Sequence, residues 1–169
     1  SLLLDWTEPR RGTSFVVTLN VVPAPSWFVD TIVLESTSVI VIVDDEGDVA
    51  DLWQKQIAAR LKNIRLPEGH RPDIVSVSGP AALRTDRQGA LARGTLFLVD
   101  FQYRDEATSG VELVKELGIE SRSIIVTNFF DNPDVEAAVT NAGLRMLPKA
   151  DMASTKFRLA ISSRETGGA

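Results

Sequence analysis

Three carboxylates, a hydroxyl and an ammonium group each follow a short apolar run of this sequence. The residues that carry them are Asp44, Asp45, Asp100, Thr127 and Lys149. Clustered carboxylates repel one another unless a cation lies among them, and hard divalent cations such as Mg²⁺ prefer oxygen ligands. An ammonium group and a hydroxyl can bind the oxygens of a phosphoryl group. Together these residues predict a site for a divalent metal ion and a phosphoryl group.

The apolar runs before these residues are typical of strands that are buried on both faces. They span residues 39–43, 96–99, 124–126 and 144–148, and a further strand is predicted at 73–77. In an open parallel sheet, ligands bind in the crevice outside the carboxyl ends of the strands. We therefore expect the five side chains to meet at one edge of the sheet.

Patterns typical of helices separate these strands. Residues 48–62 place apolar side chains at the spacing of one buried helix face. That face consists of Val49, Leu52, Trp53, Ile57 and Leu61. Further helices are predicted at residues 81–92, 110–117 and 133–141. Strands that alternate with helices predict an α/β domain whose parallel sheet is covered on both faces.

The two ends of the chain carry other patterns. Residues 1–37 predict a β-hairpin and a linker, because two β-rich runs flank turn residues and prolines follow at 23 and 25. The α/β domain is predicted over residues 38–165, and it ends in a last helix. This helix is expected to bury Met152, Phe157, Leu159 and Ile161.

Composition excludes several classes of protein. The chain has 169 residues, of which 44% are hydrophobic and 24% charged, as in ordinary soluble domains. Its net charge is −5 and it has no basic block, so we expect no nucleic-acid partner. It has no cysteine, which excludes disulfides and thiol catalysis, and its single histidine, His70, excludes a multi-histidine metal site.

No apolar run approaches the roughly 20 residues that span a bilayer, so this part of the protein is expected to make no direct membrane contact. The chain starts with Ser1 rather than Met, which predicts a fragment of a longer parent protein. Membrane attachment of that parent stays open.

The order of the five residues resembles that of receiver domains, the response-regulator domains of two-component signalling, over residues 38 to about 162. Receiver domains carry an acidic pair after their first strand and a phosphoacceptor aspartate after their third. A Ser or Thr follows the fourth strand and a lysine follows the fifth. The resemblance implies a flavodoxin-like fold, a three-layer sandwich around a five-stranded parallel sheet in the order 2-1-3-4-5.

The resemblance also implies a function. Asp100 would accept a phosphoryl group from a phosphohistidine on a histidine kinase or a histidine phosphotransfer protein, with self-dephosphorylation as a further activity. The cofactor would be Mg²⁺, held by Asp44, Asp45, Asp100 and the backbone carbonyl of Gln102. Thr127 and Lys149 would bind the phosphoryl group and switch protein interactions. The expected location is the bacterial cytoplasm, and homodimerisation stays open.

Some residues depart from the receiver pattern. Pro148 precedes Lys149 instead of following it, and Met146 stands where many receivers have an aromatic residue. The loop at 101–109 is long and lacks the common Met-Pro. These departures keep open an alternative function, a pseudo-receiver that binds proteins without being phosphorylated. A phosphatase of the haloacid dehalogenase type would require a second aspartate where Gln102 stands, so the sequence argues against that class.

The hairpin carries a second resemblance. Residues 12–19 resemble the last glycine box and final strand of a histidine-kinase ATPase domain. An ATPase domain end followed by a receiver predicts the C-terminal part of a hybrid sensor histidine kinase. The other ATP-binding motifs are absent from the sequence, so this chain is not expected to bind ATP or to act as a kinase.

Overall fold

The computed structural model describes residues 1–8, 11–20, 22–35, 39–64, 66, 71–85 and 94–160. The strands in these ranges are β1 (Leu2–Glu8), β2 (Gly12–Val17), β3 (Thr31–Glu35), β4 (Val39–Val43), β5 (Asp73–Val77), β6 (Thr95–Asp100), β7 (Ser123–Thr127), β8 (Arg145–Pro148) and β9 (Lys156–Ala160). The α-helices are α1 (Gly47–Lys62), α2 (Pro80–Thr85), α3 (Gly110–Leu117) and α4 (Pro133–Asn141). Short 3-10 helices span Glu120–Arg122 and Lys149–Ala153.

A five-stranded parallel sheet forms the middle layer, in the order β5-β4-β6-β7-β8. Counted along the chain, these strands have the order 2-1-3-4-5, so the predicted flavodoxin-like topology is confirmed. The pairing sets Val43 opposite Val99 and Asp100 opposite Val126. Because neighbouring strands end at nearly the same level, the residues that follow them lie along one edge of the sheet.

Successive residues of the central strands face opposite sides of the sheet and enter two hydrophobic clusters. On one face, Val41 and Phe97 pack in a cluster with residues of α2, α3 and α4. On the other face, Ile40 and Leu98 pack with residues of α1. Helices cover both faces, as predicted. Each fully buried aliphatic or aromatic side chain stabilises the fold by about 1.5–3 kcal/mol relative to an exposed one.

Helix α1 buries most of the predicted face, with one error. Trp53, Ile57 and Leu61 are buried, but Leu52 is 52% exposed. The buried row begins at Ala50 instead, because positions 50, 53, 57 and 61 follow the three-to-four spacing of one helix face. Leu52 is two residues from Ala50, which places it on the opposite side of the helix.

The predicted last helix is wrong. After the 3-10 helix that contains the buried Met152, the chain forms β9, which pairs in parallel with β3. Phe157 and Leu159 alternate with Lys156 and Arg158, and this period of two belongs to a strand. The two apolar side chains pack against the cluster on the α1 side of the sheet, while Ile161 lies outside the described residues.

Part of the predicted linker belongs to the core of the α/β fold. Ile32 and Leu34 of β3 are each 1% exposed and pack in the same cluster as β4. The segment just before β3 is hydrogen-bonded to β8. The backbone N–H of Met146 donates to the carbonyl of Trp27 (2.8 Å), and the N–H of Val29 donates to the carbonyl of Met146 (3.1 Å). The chain thereby adds a short extended segment to the β8 edge of the sheet.

The hairpin prediction is confirmed, since β1 and β2 pair antiparallel. Most of its large apolar side chains are exposed, among them Leu2, Leu3 and Phe15. The predicted helix at 81–92 is observed as α2 up to Thr85, and its remaining residues, like His70, lie outside the described ranges. Among the described residues, no helix is long and apolar enough to cross a membrane.

Gly110 is required where α3 meets β6. A Cβ atom at this position would lie 2.0 Å from the carbonyl oxygen of Asp100, and the N–H of Gly110 donates to the carbonyl of Phe101 (2.8 Å). We expect Gly110→Ala to lower the free energy of unfolding by about 3 kcal/mol, because the backbone of α3 or β6 must shift.

Urea unfolding measures this loss, and Gly47→Ala is the matched control. A Cβ at Gly47 meets no atom within 4 Å at the start of α1, so its expected effect is neutral or stabilising by about 0.5–1 kcal/mol. Equal stability of the Gly110→Ala variant and the wild type would contradict the close approach.

Candidate metal and phosphoryl site

The acidic residues meet at the carboxyl edge of the sheet. Asp44 and Asp45 follow β4, and Asp100 is the last residue of the neighbouring strand β6. One carboxylate oxygen from each residue lies within 4.8 Å of the others. Asp44 and Asp100 are nearly fully buried, with 2% and 6% of their surface exposed. Negative charges this close and this buried require a cation.

Lys149 supplies a positive charge in this structure. It directly follows β8, and its Nζ donates to Asp44 Oδ2 (2.9 Å) and to Asp100 Oδ2 (2.8 Å). Its side chain is 12% exposed, and Nζ also lies 5.7 Å from the centre of the Trp53 ring. The ammonium group therefore bridges two carboxylates that come from different strands.

Burial and charge shift the protonation equilibria of this ion triad. Burial raises the pKa of Asp100 to about 6, although Lys149 opposes the rise and Asp44 adds to it. Burial lowers the pKa of Lys149, but its hydrogen bonds with Asp100 and Asp44 outweigh that effect and leave the pKa above its ordinary value. Lys149 is therefore charged at neutral pH, while Asp100 titrates close to the physiological range.

Backbone groups fix the acidic pair from both sides. Asp44 Oδ1 accepts from the N–H of Glu46 (2.8 Å), at the turn that starts α1. Asp45 Oδ2 accepts from the N–H of Arg104 (2.8 Å), in the loop that follows Asp100. The guanidinium group of Arg104 also pairs with the carboxylate of Glu46. The loop after β6 thus lies against the turn after β4.

Thr127 ends β7, beside the other strands of the site, but it is set back from the opening. Its side chain is 1% exposed, and its Oγ1 accepts from the N–H of Phe129 (3.0 Å). The hydroxyl keeps one proton that it can donate. The next two residues, Asn128 and Phe129, line the cavity of the site, whereas Thr127 does not.

A cavity of about 330 Å³ opens over the carboxylates. Its lining consists of Asp45, Glu46, Asp100, Gln102, Tyr103, Arg104, Asn128, Phe129 and Lys149. The three carboxylates form an oxygen-only donor set, which fits Mg²⁺ rather than a metal that prefers sulfur or imidazole ligands. Gln102 lies in this lining.

Sequence reasoning missed Tyr103. This residue is 4% exposed, and its hydroxyl has no hydrogen-bond partner among the described residues. Burial raises the pKa of Tyr103, and the carboxylates of Asp100, Asp44 and Asp45 raise it further, so the hydroxyl keeps its proton. The unusual composition of the loop after Asp100 was the only signal in the sequence.

Ion pairs attach this loop to the neighbouring helices. Arg84 of α2 contacts Glu106 of the loop (3.1 Å) and Glu116 of α3 (2.8 Å). Glu106 also accepts from the N–H of Ala81 (3.0 Å), at the start of α2. At the end of the loop, Ser109 and Glu112 form a capping box that starts α3. The loop is therefore anchored at both of its ends.

The comparisons with known proteins concern the fold. No protein-family model and no curated protein matches the sequence. Among similar solved structures is the response regulator RcsB of Salmonella typhimurium, at 16% identity and a TM-score of 0.52, over 70% of this chain and 55% of that one. Others are the chemotaxis protein CheY4 of Vibrio cholerae (14% identity, TM-score 0.48, 66% of this chain and 84% of that one) and FixJ-N (21%, 0.48, 69% and 92%).

At these identities the similarity concerns the fold alone, and the match to RcsB carries it. With its strand order and the helices on both faces of the sheet, the chain has the fold of a receiver domain.

The first prediction from the site concerns Lys149. Lys149→Met leaves Asp44 and Asp100 buried without their cation, so we expect a loss of about 3 kcal/mol in the free energy of unfolding in metal-free buffer. Mg²⁺ should stabilise this variant more than the wild type. Urea unfolding with and without Mg²⁺ tests this, with the exposed Lys55→Met on α1 as control. A loss of the same size in both buffers would contradict a metal site here.

The second prediction concerns pH. The folded-state pKa of Asp100, about 6, lies above the roughly 3.9 of an unfolded aspartate, so its ionisation costs stability above pH 6 and this cost disappears as the pH falls toward 4. In metal-free buffer, Asp100→Asn should therefore stabilise the protein most at pH 7–8 and least near pH 4. Thermal unfolding across this range measures the difference, with the exposed Asp105→Asn as control. A difference that does not vary with pH would refute the shifted pKa.

Proposed function

We propose that this chain is a receiver domain that accepts a phosphoryl group on Asp100 in two-component signal transduction. One observation carries the proposal: three carboxylates within 4.8 Å of one another lie at the carboxyl edge of a receiver-type sheet. Lys149 bridges two of these carboxylates, and Thr127 ends the adjacent strand. The same residue types occupy the same strand ends in the receiver pattern.

Asp45 and Asp100 are the proposed carboxylate ligands of Mg²⁺, and the backbone carbonyl of Gln102 is a third ligand. Asp44 is already bonded to Lys149 and to the N–H of Glu46, which suits it to hold a water on the metal. Bound Mg²⁺ would neutralise charge on the phosphoryl oxygens, as metal ions do in phosphoryl transfer generally.

Asp100 is the nucleophile in this proposal. An oxygen of its carboxylate forms a bond to phosphorus as the P–N bond of a phosphohistidine on the partner breaks. The electrons of that bond stay on the imidazole nitrogen, which takes a proton from water. Lys149 already touches Asp100 and has three donors, so it can exchange a carboxylate for a phosphoryl oxygen with little movement.

Thr127 connects the phosphoryl group to the surface. Its hydroxyl now accepts from the N–H of Phe129, and donation to a phosphoryl oxygen would reposition the side chain and this backbone together. The side chains of Phe129 and Phe130 are 49% and 38% exposed beside the site. Phosphorylation would therefore alter an apolar surface that is available to other proteins.

The proposed phosphodonor is a histidine kinase or a histidine phosphotransfer protein. We also propose that the hairpin of β1 and β2 is the end of a histidine-kinase ATPase domain, which would place the receiver after that domain in a hybrid kinase. The antiparallel pairing that starts at Gly12 supports this assignment.

The loop after Asp100 favours a second candidate function. Arg104 donates its N–H to Asp45 and pairs with Glu46, so the loop lies across the acidic pair. A loop fixed in this way would suit a pseudo-receiver that binds partners without phosphorylation.

Phosphoryl uptake separates the two functions. In the presence of Mg²⁺ and acetyl phosphate, we expect the wild type to gain one phosphoryl group, detectable by intact-protein mass spectrometry. Asp100→Asn should gain none, because an amide is not a nucleophile at neutral pH. Asp105→Asn, a change of the same kind in the adjacent loop, should be labelled like the wild type. Labelling of Asp100→Asn would refute the assignment of Asp100, and an unlabelled wild type would favour the pseudo-receiver.

A further inference from the structure

Tyr103 lines the proposed site and carries a buried hydroxyl that has no acceptor among the described residues. Tyr103 lines the same cavity as Asp45, Asp100 and Lys149, and its hydroxyl is buried without a hydrogen-bond partner among the described residues. Leaving a buried polar group unpaired costs about 1–3 kcal/mol. A residue that bears this cost beside three carboxylates suggests that an acceptor enters the cavity.

The ring of Tyr103 and Asp45 of the acidic pair have a common neighbour, Gly79. A Cβ built at Gly79, whose φ is +113°, would be in ordinary van der Waals contact with Cδ1 of Tyr103 (3.8 Å) and Cβ of Asp45 (3.9 Å). The ring of Tyr103 and Asp45 therefore border the same glycine.

The position of Tyr103 is fixed by its surroundings. Its ring belongs to the hydrophobic cluster on the side of α2, α3 and α4. Its neighbour Arg104 is hydrogen-bonded to Asp45, and Glu106 of the same loop is attached to α2 by Arg84. A donor fixed in this way loses little conformational entropy when an acceptor arrives.

The carboxylates themselves do not serve as that acceptor, because none is bonded to the hydroxyl in this structure. Asp100 Oδ2 and Asp44 Oδ2 accept from Lys149, and Asp45 Oδ2 accepts from Arg104. A phosphoryl group on Asp100 would bring acceptor oxygens into the cavity that Tyr103 lines.

We propose that the Tyr103 hydroxyl donates a hydrogen bond to the phosphoryl group carried by Asp100, as a third donor beside Lys149 and Thr127. This inference rests on the proposed function, since it concerns the phosphorylated form of the same site. Tyr103 is then a binding residue for the phosphoryl group and makes no contribution to metal binding.

Beryllofluoride, a stable mimic of an aspartyl phosphate, provides the probe. We expect Tyr103→Phe to lower the affinity for beryllofluoride in saturating Mg²⁺ about tenfold, the effect of losing one hydrogen bond to a charged group. The affinity for Mg²⁺ alone should not change. Isothermal titration calorimetry measures both constants on the whole chain.

Thr95→Val is the matched control. Thr95 carries another buried hydroxyl without a partner among the described residues, but it lies at the start of β6, at the opposite end of the strand from Asp100. Both variants remove an unpaired hydroxyl, so both should be at least as stable as the wild type without ligand. Only Tyr103→Phe should bind beryllofluoride more weakly.

Tyr103 is the only tyrosine of the chain, so ring labelling with ¹³C at Cζ gives a single NMR signal. That signal should shift when beryllofluoride is added to the Mg²⁺-loaded wild type, and should not shift in Asp100→Asn.

The outcomes separate this inference from the proposed function. If the wild type binds beryllofluoride, Asp100→Asn does not, and Tyr103→Phe binds like the wild type, the receiver function stands and the role of Tyr103 is refuted. An equal loss of Mg²⁺ and beryllofluoride affinity in Tyr103→Phe would also refute it, because the hydroxyl would then serve the metal. If the wild type binds no beryllofluoride, the proposed function itself fails.

Discussion

Two buried carboxylates that share one ammonium group set the conditions for the rest of this structure. Asp44 and Asp100 are nearly inaccessible to water, and each accepts a hydrogen bond from Lys149. Burying one carboxylate alone would be prohibitively costly, so the cation and both anions have to arrive together. They come from the ends of three strands, which makes the alignment of those strands a condition for neutralising the charges.

The parallel sheet meets this condition because its strands end at nearly the same level. Asp100 lies opposite Val126, and Thr127 lies opposite Pro148, the residue before Lys149. Gly110 then lets α3 start against the carbonyl of Asp100, where any side chain would collide. The strand ends hold the charged groups in place. The start of α3 against Asp100 then determines the path of the loop after β6.

The sequence predicted the parts of this design that depend on local pattern. Apolar runs that end in polar residues indicated four of the five central strands and the meeting of Asp44, Asp45, Asp100 and Lys149. The prediction from sequence failed where tertiary contacts determine the secondary structure. The apolar side chains of β9 matched a helix face loosely, and this segment is a strand only because it pairs with β3. Tyr103 was missed for a related reason, because an unpaired hydroxyl is a property of the packed site and not of sequence spacing.

Hydrogen bonds and ion pairs around the site determine which neighbouring segments can move when the site changes. Backbone hydrogen bonds between Met146 and the segment at Trp27 and Val29 occupy the β8 edge. The loop after Asp100 is fixed to α2 by the ion pair between Glu106 and Arg84. The loop after Thr127 exposes the rings of Phe129 and Phe130. Because Thr127 is linked to the backbone of Phe129, a movement of its hydroxyl toward the cavity would reach the surface through these two aromatic side chains.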